Sequence, residues 1–186
     1  IPSVDLIILP GGFSFGDYLR SGAMASKSNI IPEVIKHANS GKFLLGICNG
    51  FQILSEIGLL RGALIQNNKL KFLGKDCFVR KKYENKFNKL IKKDQVLQIP
   101  VAHNEGNFYC SNDDLNYLND EELIAFEYCM GSFSNSDANI NGSINNIAGI
   151  TNEGKNVLGM MPHPERAYQN FHTSMDGKSI IESLIS

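Results

Sequence analysis

Three residues of this chain have the types and spacing that acyl-transfer chemistry uses: Cys48, His163 and Glu165. Cys48 stands in Gly46-Ile47-Cys48-Asn49-Gly50, where an apolar run stops and the period of the sequence changes. Small residues two before and two after a nucleophile let neighbouring backbone pack against a strained strand-to-helix turn, and such a turn presents its central side chain at the end of a sheet. A helix N-terminus also favours an anion, so a sulfur placed there is expected to project into solvent with a pKa below the usual value of about 8.5. The alternative for a lone thiol is a buried structural cysteine.

His163 and Glu165 lie two apart in Pro162-His163-Pro164-Glu165. The prolines hold the backbone extended, so both side chains point to one side. A carboxylate can then orient one imidazole nitrogen while the other faces a nucleophile. Alone, His-x-Glu says little, because a histidine near a strand end is usually satisfied by backbone. Joined to a cysteine turn in an α/β chain, it completes a triad by role.

The elements needed to position these residues are legible as periodicity. Residues 43–47 form an almost continuous apolar run, as in a strand buried on both faces of a parallel sheet, and Ile53, Leu54 and Ile57 follow at helical spacing before Gly58. Upstream, residues 4–9 read as a strand ended by Pro10-Gly11-Gly12. The loop Phe13 to Tyr18 follows it, at the strand end where open α/β sheets place ligands. That loop lacks the Gly-Lys-Ser/Thr ending of a phosphate loop. Its glycines either bring backbone N–H groups near a developing negative charge or make a turn without function. Residues 29–40 read as a helix with Ile31, Val34, Ile35 and Ala38 on one side, Pro32 in its first turn and Gly41 beyond its end; His37 is placed on its surface. This alternation argues for a parallel sheet covered by helices. Strands are then expected at 71–79, 96–101, 106–110, 123–129, 146–150 and 157–161, partly antiparallel, with a polar loop over 131–143. A last helix from Asp176 is expected to bury Ile180, Ile181, Leu184 and Ile185.

Composition bounds the rest. With 186 residues the chain has the size of one domain, 1–186, and its net charge of -1 predicts no global attraction to nucleic acid or acidic membrane. No apolar run approaches a membrane span, and the first residues carry no signal-peptide pattern, which points to the cytoplasm. Cys48, Cys77, Cys110 and Cys129 are widely spaced, so free thiols and no metal site are expected. Between Arg80 and Lys93 seven basic residues interleave with Tyr83 and Phe87, a composition that suits either a solvated helix or hairpin face or, less simply, RNA. The acids Asp113, Asp114, Asp120, Glu121 and Glu122 offset that charge.

Pro10-Gly11-Gly12, Gly46-Ile47-Cys48-Asn49-Gly50-Phe51-Gln52 and Pro162-His163-Pro164-Glu165 together resemble the class I glutamine amidotransferases. Further stretches are similar to one branch of them, the glutaminase subunits of phosphoribosylformylglycinamidine synthases, which serve purine biosynthesis. These stretches are Gly11 to Arg20, Pro100 to Tyr109, Asn141-Gly142-Ser143 and Met160 to Arg166, so the resemblance spans essentially the whole chain.

The resemblance implies an α/β, flavodoxin-like three-layer sandwich, with a mostly parallel sheet, helices on both faces and extra antiparallel strands. It implies Cys48 as nucleophile on the side-chain amide of L-glutamine, His163 as base and then acid, and Glu165 as the group orienting His163. The N–H groups of Gly12 and Asn49 become the oxyanion donors. Gln52, His103, Asn107 and Phe108 are assigned to the glutamine site, or to a partner surface. No cofactor is implied in this subunit. ATP and magnesium are expected on a synthetase (large) subunit, which takes the ammonia to convert formylglycinamide ribonucleotide to formylglycinamidine ribonucleotide, alongside a small accessory subunit. Two departures stand out. Phe15 replaces a usual tyrosine, and the chain starts at a point where the family has already passed a strand, a helix and a strand, so that N-terminal segment is expected to be missing. Competing readings are a glutaminase subunit serving another acceptor and a non-catalytic α/β binding module; the motif around His103 argues against the first, and an intact triad against the second.

Overall fold

The computed structural model describes residues 1–131 and 138–185. Of the polar loop expected at 131–143, residues 132–137 lie outside the described residues.

Seven strands form one mixed sheet: β1 (Leu6–Leu9), β2 (Phe43–Ile47), β4 (Leu73–Lys81), β5 (Val96–His103), β7 (Ile124–Tyr128), β8 (Ile147–Thr151) and β9 (Val157–Met160), in the order β1-β2-β9-β8-β7-β4-β5. The first three in that order are parallel, with Leu45 opposite both Ile8 and Leu158; every later pairing is antiparallel. A small antiparallel pair, β3 (Ala63–Ile65) and β6 (Asn107–Tyr109), stands apart from it. The helices are α1 (Ile31–Asn39), α2 (Asn49–Glu56), α3 (Asn112–Asp120) and α4 (Lys178–Ser183).

The parallel part positions the chemistry. β2 is enclosed along almost its full length, which is what its unbroken apolar run dictates, and it delivers Cys48 directly to the first residue of α2. α1 lays Val34 and Ala38 into the core, and Gly41 in the left-handed region (φ 79°) ends it. His37 is half-buried rather than free on the surface: its Nε2 lies 2.9 Å from the Phe43 carbonyl, pinning α1 to the start of β2.

Two elements escaped the sequence pattern. α3 falls on the acidic run that offsets the basic segment, and it has a good start signal: the Ser111 hydroxyl accepts from the Asp114 N–H, and Asp113 and Asp114 occupy the first turn. β3 is three residues long and too short for alternation to register. In α4 Ile180 is buried as expected, whereas Ile185 is exposed because the helix stops before it.

The basic segment does not present a stacking face. Phe87 is fully buried in the core, and Tyr83 packs against it while its hydroxyl reaches Asn119. Arg80 and Lys82 flank Glu127 at 3.5 and 3.0 Å, and Lys81 pairs with Glu84.

Candidate active site

The turn at Cys48 is forced by close backbone packing. Cys48 has φ 50° and ψ −106°, a conformation costly for a residue with a side chain, and its N–H is held by the Met160 carbonyl at 2.8 Å. Gly46 and Gly50 make the turn possible. A Cβ on Gly50 would stand 2.1 Å from the Leu9 carbonyl oxygen, and one on Gly46 would stand 2.8 Å from Gly50 backbone. The first turn of α2 therefore touches β1 and β2 directly.

His163 arrives from the end of β9, and its N–H donates to the Pro100 carbonyl of β5 at 2.8 Å. Its Nδ1 donates to Glu165 Oε1 at 2.6 Å, which leaves Nε2 as the acceptor nitrogen, buried and without a hydrogen-bond partner among the described residues. Gly11 sits between this ring and the cysteine: a Cβ there would lie 2.5 Å from His163 Cε1 and 3.5 Å from Cys48 Cβ. Cys48, His163 and Gly12 share one cleft of about 250 Å³ at the carboxyl ends of the parallel strands.

The sulfur itself differs from the expectation. Cys48 is buried, not projected into solvent, and burial pushes its thiol up to about 12 against the opposing effects of the Asn49 N–H and Arg166. Desolvation outweighs the helix terminus. At rest the group is a neutral thiol, donating to the Ala102 carbonyl at 3.5 Å. Such a site needs a base beside the thiol before sulfur can attack, and the free Nε2 of His163 is the base available.

A belt of polar contacts borders the cleft and enters its lining at Gln52 and Ser21. The N–H and hydroxyl of Ser14 donate to Asn49 Oδ1; Asn49 Nδ2 donates to Gln52 Oε1 at 2.8 Å. Gln52 Nε2 donates to the Glu105 carbonyl at 2.5 Å, and Glu105 Oε2 accepts the Ser21 N–H at 3.0 Å. The loop after β1, the first turn of α2 and the β5–β6 connection are thereby tied together.

The other residues singled out from sequence separate here. Gly12 lines the cleft with φ 153°, a backbone setting side chains rarely adopt, and the Asn49 N–H lies against the sulfur. Gln52 and His103 also line the cleft, but Gln52 is committed to the belt at both ends of its amide. Asn107 and Phe108 do not belong to the cleft lining. Asn107 reaches the Gln66 carbonyl, and Phe108 is a core residue stacked on Phe51 at 6.0 Å.

Asn67 went unnoticed in the sequence, where it lies in a Gln-Asn-Asn run without pattern. Its Nδ2 donates to the Lys71 and His103 carbonyls, so its Oδ1 must accept, and it does so from the Gly106 N–H and from His103 Nδ1. His103 Nε2 is then a fixed acceptor. Burial, with the neighbouring His163 second, lowers His103 to about 4, so the ring stays neutral. Asp17, Phe72 and Arg166 also line the cleft.

Among the described residues no group of three or more His, Cys, Asp or Glu could hold a metal ion, and no helix is long and apolar enough to cross a membrane.

The fold and the Cys-His-Glu arrangement define a glutamine amidotransferase, and comparison with known proteins agrees. Residues 1–183 match the CobB/CobQ-like glutamine amidotransferase domain, and the chain belongs to that family. Among its relatives, the phosphoribosylformylglycinamidine synthase subunit PurQ of Pelagibacter ubique is 48% identical over 189 residues, covering 100% of this chain and 82% of the relative. The PurQ subunit of Koribacter versatilis is also 48% identical, over 100% of this chain and 81% of its own. The solved structure of PurLQS from Thermotoga maritima matches with a TM-score of 0.87 and 40% identity, covering 100% of this chain and 80% of that one. A glutamine amidotransferase from Thermotoga maritima, 18% identical with a TM-score of 0.55 over 88% of this chain and 57% of that one, shares the fold.

Proposed function

We propose that this chain is the glutaminase subunit of a phosphoribosylformylglycinamidine synthase, releasing ammonia from L-glutamine for a synthetase subunit. The observation that carries the reading is His163, with Nδ1 held by Glu165 at 2.6 Å and a buried, unpartnered Nε2 in the cleft that contains Cys48. The relatives' names supply the acceptor pathway.

On this reading His163 Nε2 takes the Cys48 proton as sulfur attacks the carboxamide carbon. The charge that develops on oxygen meets the N–H groups of Gly12 and Asn49, each such donor contributing about 3 kcal/mol in the transition state. His163 then returns its proton to the leaving nitrogen, ammonia departs, and a thioester remains. Water, deprotonated by the same nitrogen, attacks the thioester; glutamate leaves and the thiol is restored. Glu165 keeps Nε2 the basic nitrogen throughout. ATP and magnesium act on the synthetase subunit, and the assembly works in the cytoplasm. Phe13 and Phe72 of the cleft lining are exposed, as are Phe15, Tyr18, Leu19 and Leu70 close to them in sequence, an apolar rim that supports docking of such a partner and of a small accessory subunit.

The test is the glutaminase rate of the chain alone, with the synthetase, and with the synthetase plus its nucleotide substrates. A rate that rises on docking, together with labelling of Cys48 alone by an electrophilic glutamine analogue, supports the reading. Equal labelling of Cys77, Cys110 or Cys129 overturns it.

A further inference from the structure

Four buried polar side-chain atoms lack a hydrogen-bond partner among the described residues, and three of them belong to residues lining this one cleft: Asp17 Oδ1, His103 Nε2 and His163 Nε2. Orphaned polar atoms are rare in folded proteins, and their concentration here marks where a ligand supplies the missing partners. The reaction uses His163 Nε2. Nothing yet uses Asp17.

Asp17 follows Phe15 and Gly16 in the left-handed region, at φ 55°, a strained path for a residue with a side chain. The path turns its carboxylate inward. Burial raises the pKa of that carboxyl, the Ser21 side chain opposes the shift by hydrogen bonding to it, and Glu105 raises it further. Glu105 spends Oε2 on the Ser21 N–H, and Arg20 is engaged by Glu56 at 2.6 Å. Asp17 in the cleft lining and Glu105 behind it thus repel one another, and among the described residues neither carboxylate has a salt-bridge partner. A zwitterionic amino acid brings a cation, two methylene groups away from its carboxamide.

We propose that Asp17 recognises the α-ammonium group of glutamine, its Oδ1 accepting from that group while Glu105 adds negative charge beside it. This rests on the glutaminase reading and assigns the residue that makes the site select an α-amino acid over a simple amide. Glutamine carries both ends the cleft can read: the carboxamide goes to Cys48 and His163, and the ammonium to the loop at Asp17.

The experiment compares glutamine with its desamino analogue, the five-carbon acid monoamide lacking the ammonium group, in the complex with the synthetase. Asp17→Asn keeps the shape and the Ser21 contact. It is expected to raise KM for glutamine about ten- to a hundredfold, the effect of losing one charge-assisted hydrogen bond, with kcat within about threefold. The desamino analogue should react equally with both proteins, so the preference for glutamine collapses. Glu105→Gln, which retains the acceptor for Ser21, should raise the same KM by a smaller factor. Retention of the wild-type preference by Asp17→Asn, or an equal loss on both substrates, overturns the assignment and leaves the glutaminase reading standing. If Asp17→Asn does not fold, Glu105→Gln decides by the same preference. A wild-type complex inert toward glutamine overturns both.

Discussion

The turn at Cys48 and the loop from Phe13 to Leu19 meet at the same cleft, and both hold non-glycine residues at positive φ. They are held there by different means. The Cys48 turn is enclosed by main chain: Met160 accepts its N–H, and Gly50 leaves no room for a Cβ against the Leu9 carbonyl. The loop lies largely on the surface, with Phe13, Phe15, Tyr18 and Leu19 exposed, and is fastened to the rest by side chains, chiefly Ser14 on Asn49 and Ser21 on Glu105. The nucleophile is thus fixed by the fold itself. The wall that faces the substrate is fixed by polar contacts that single substitutions can remove.

The sharpest way to break this contrast is Gly50→Ala. A methyl 2.1 Å from a carbonyl oxygen has nowhere to go, so the protein should lose about 3 kcal/mol of stability and all turnover together, read from urea unfolding and a glutaminase assay. Cys48→Ala should separate the two: turnover falls below detection while the unfolding midpoint stays close to wild type. His163→Ala should approach that loss, whereas Glu165→Gln, which still accepts from Nδ1, should retain residual turnover that a sensitive ammonia assay detects.

Next in size is a pH effect. With the Cys48 thiol pushed up to about 12, its thiolate fraction, and hence alkylation by iodoacetamide in the absence of glutamine, should rise about tenfold per pH unit from pH 7 to 10. A rate that levels off below pH 8 would mean a resting thiolate and reverse the order of events at the nucleophile. Smallest is Asn49→Ala, which leaves the backbone N–H in place and cuts the belt between Ser14 and Gln52. Turnover should fall about tenfold with a loss of about 1 kcal/mol in stability. An unchanged rate would show that the loop holds its place without this tether.

Much of the site was legible because its signals are local. Glycine two residues to either side of Cys48, the change of period at α2 and the His-x-Glu spacing each describe a few adjacent residues, and the structure puts Cys48, His163 and Gly12 in the lining of one cleft, with Glu165 on His163 Nδ1 and the Asn49 N–H against the sulfur. What failed to show was relational. Phe108 sits in a motif beside His103, but it lies on β6 rather than on β5, and the alternation of that strand turns it into the core, where it stacks on Phe51. Asn67 acts through contacts 36 and 39 residues away, for which no spacing rule exists. The raised thiol pKa is likewise a property of enclosure, and enclosure is the sum of many distant residues. The helix α3 carries a local start signal in Ser111 and Asp114, but its acids lack the apolar periodicity that marks the other helices.

The polar belt through Ser14, Asn49, Gln52, Glu105 and Ser21 joins three pieces of chain that meet nowhere else in sequence. A recognition surface assembled this way behaves as a seam, and a seam parts under mild stress sooner than the cloth on either side. Dilute urea or gentle warming would open it while the seven strands still hold, and the sheet would report an intact protein after the enzyme had gone quiet.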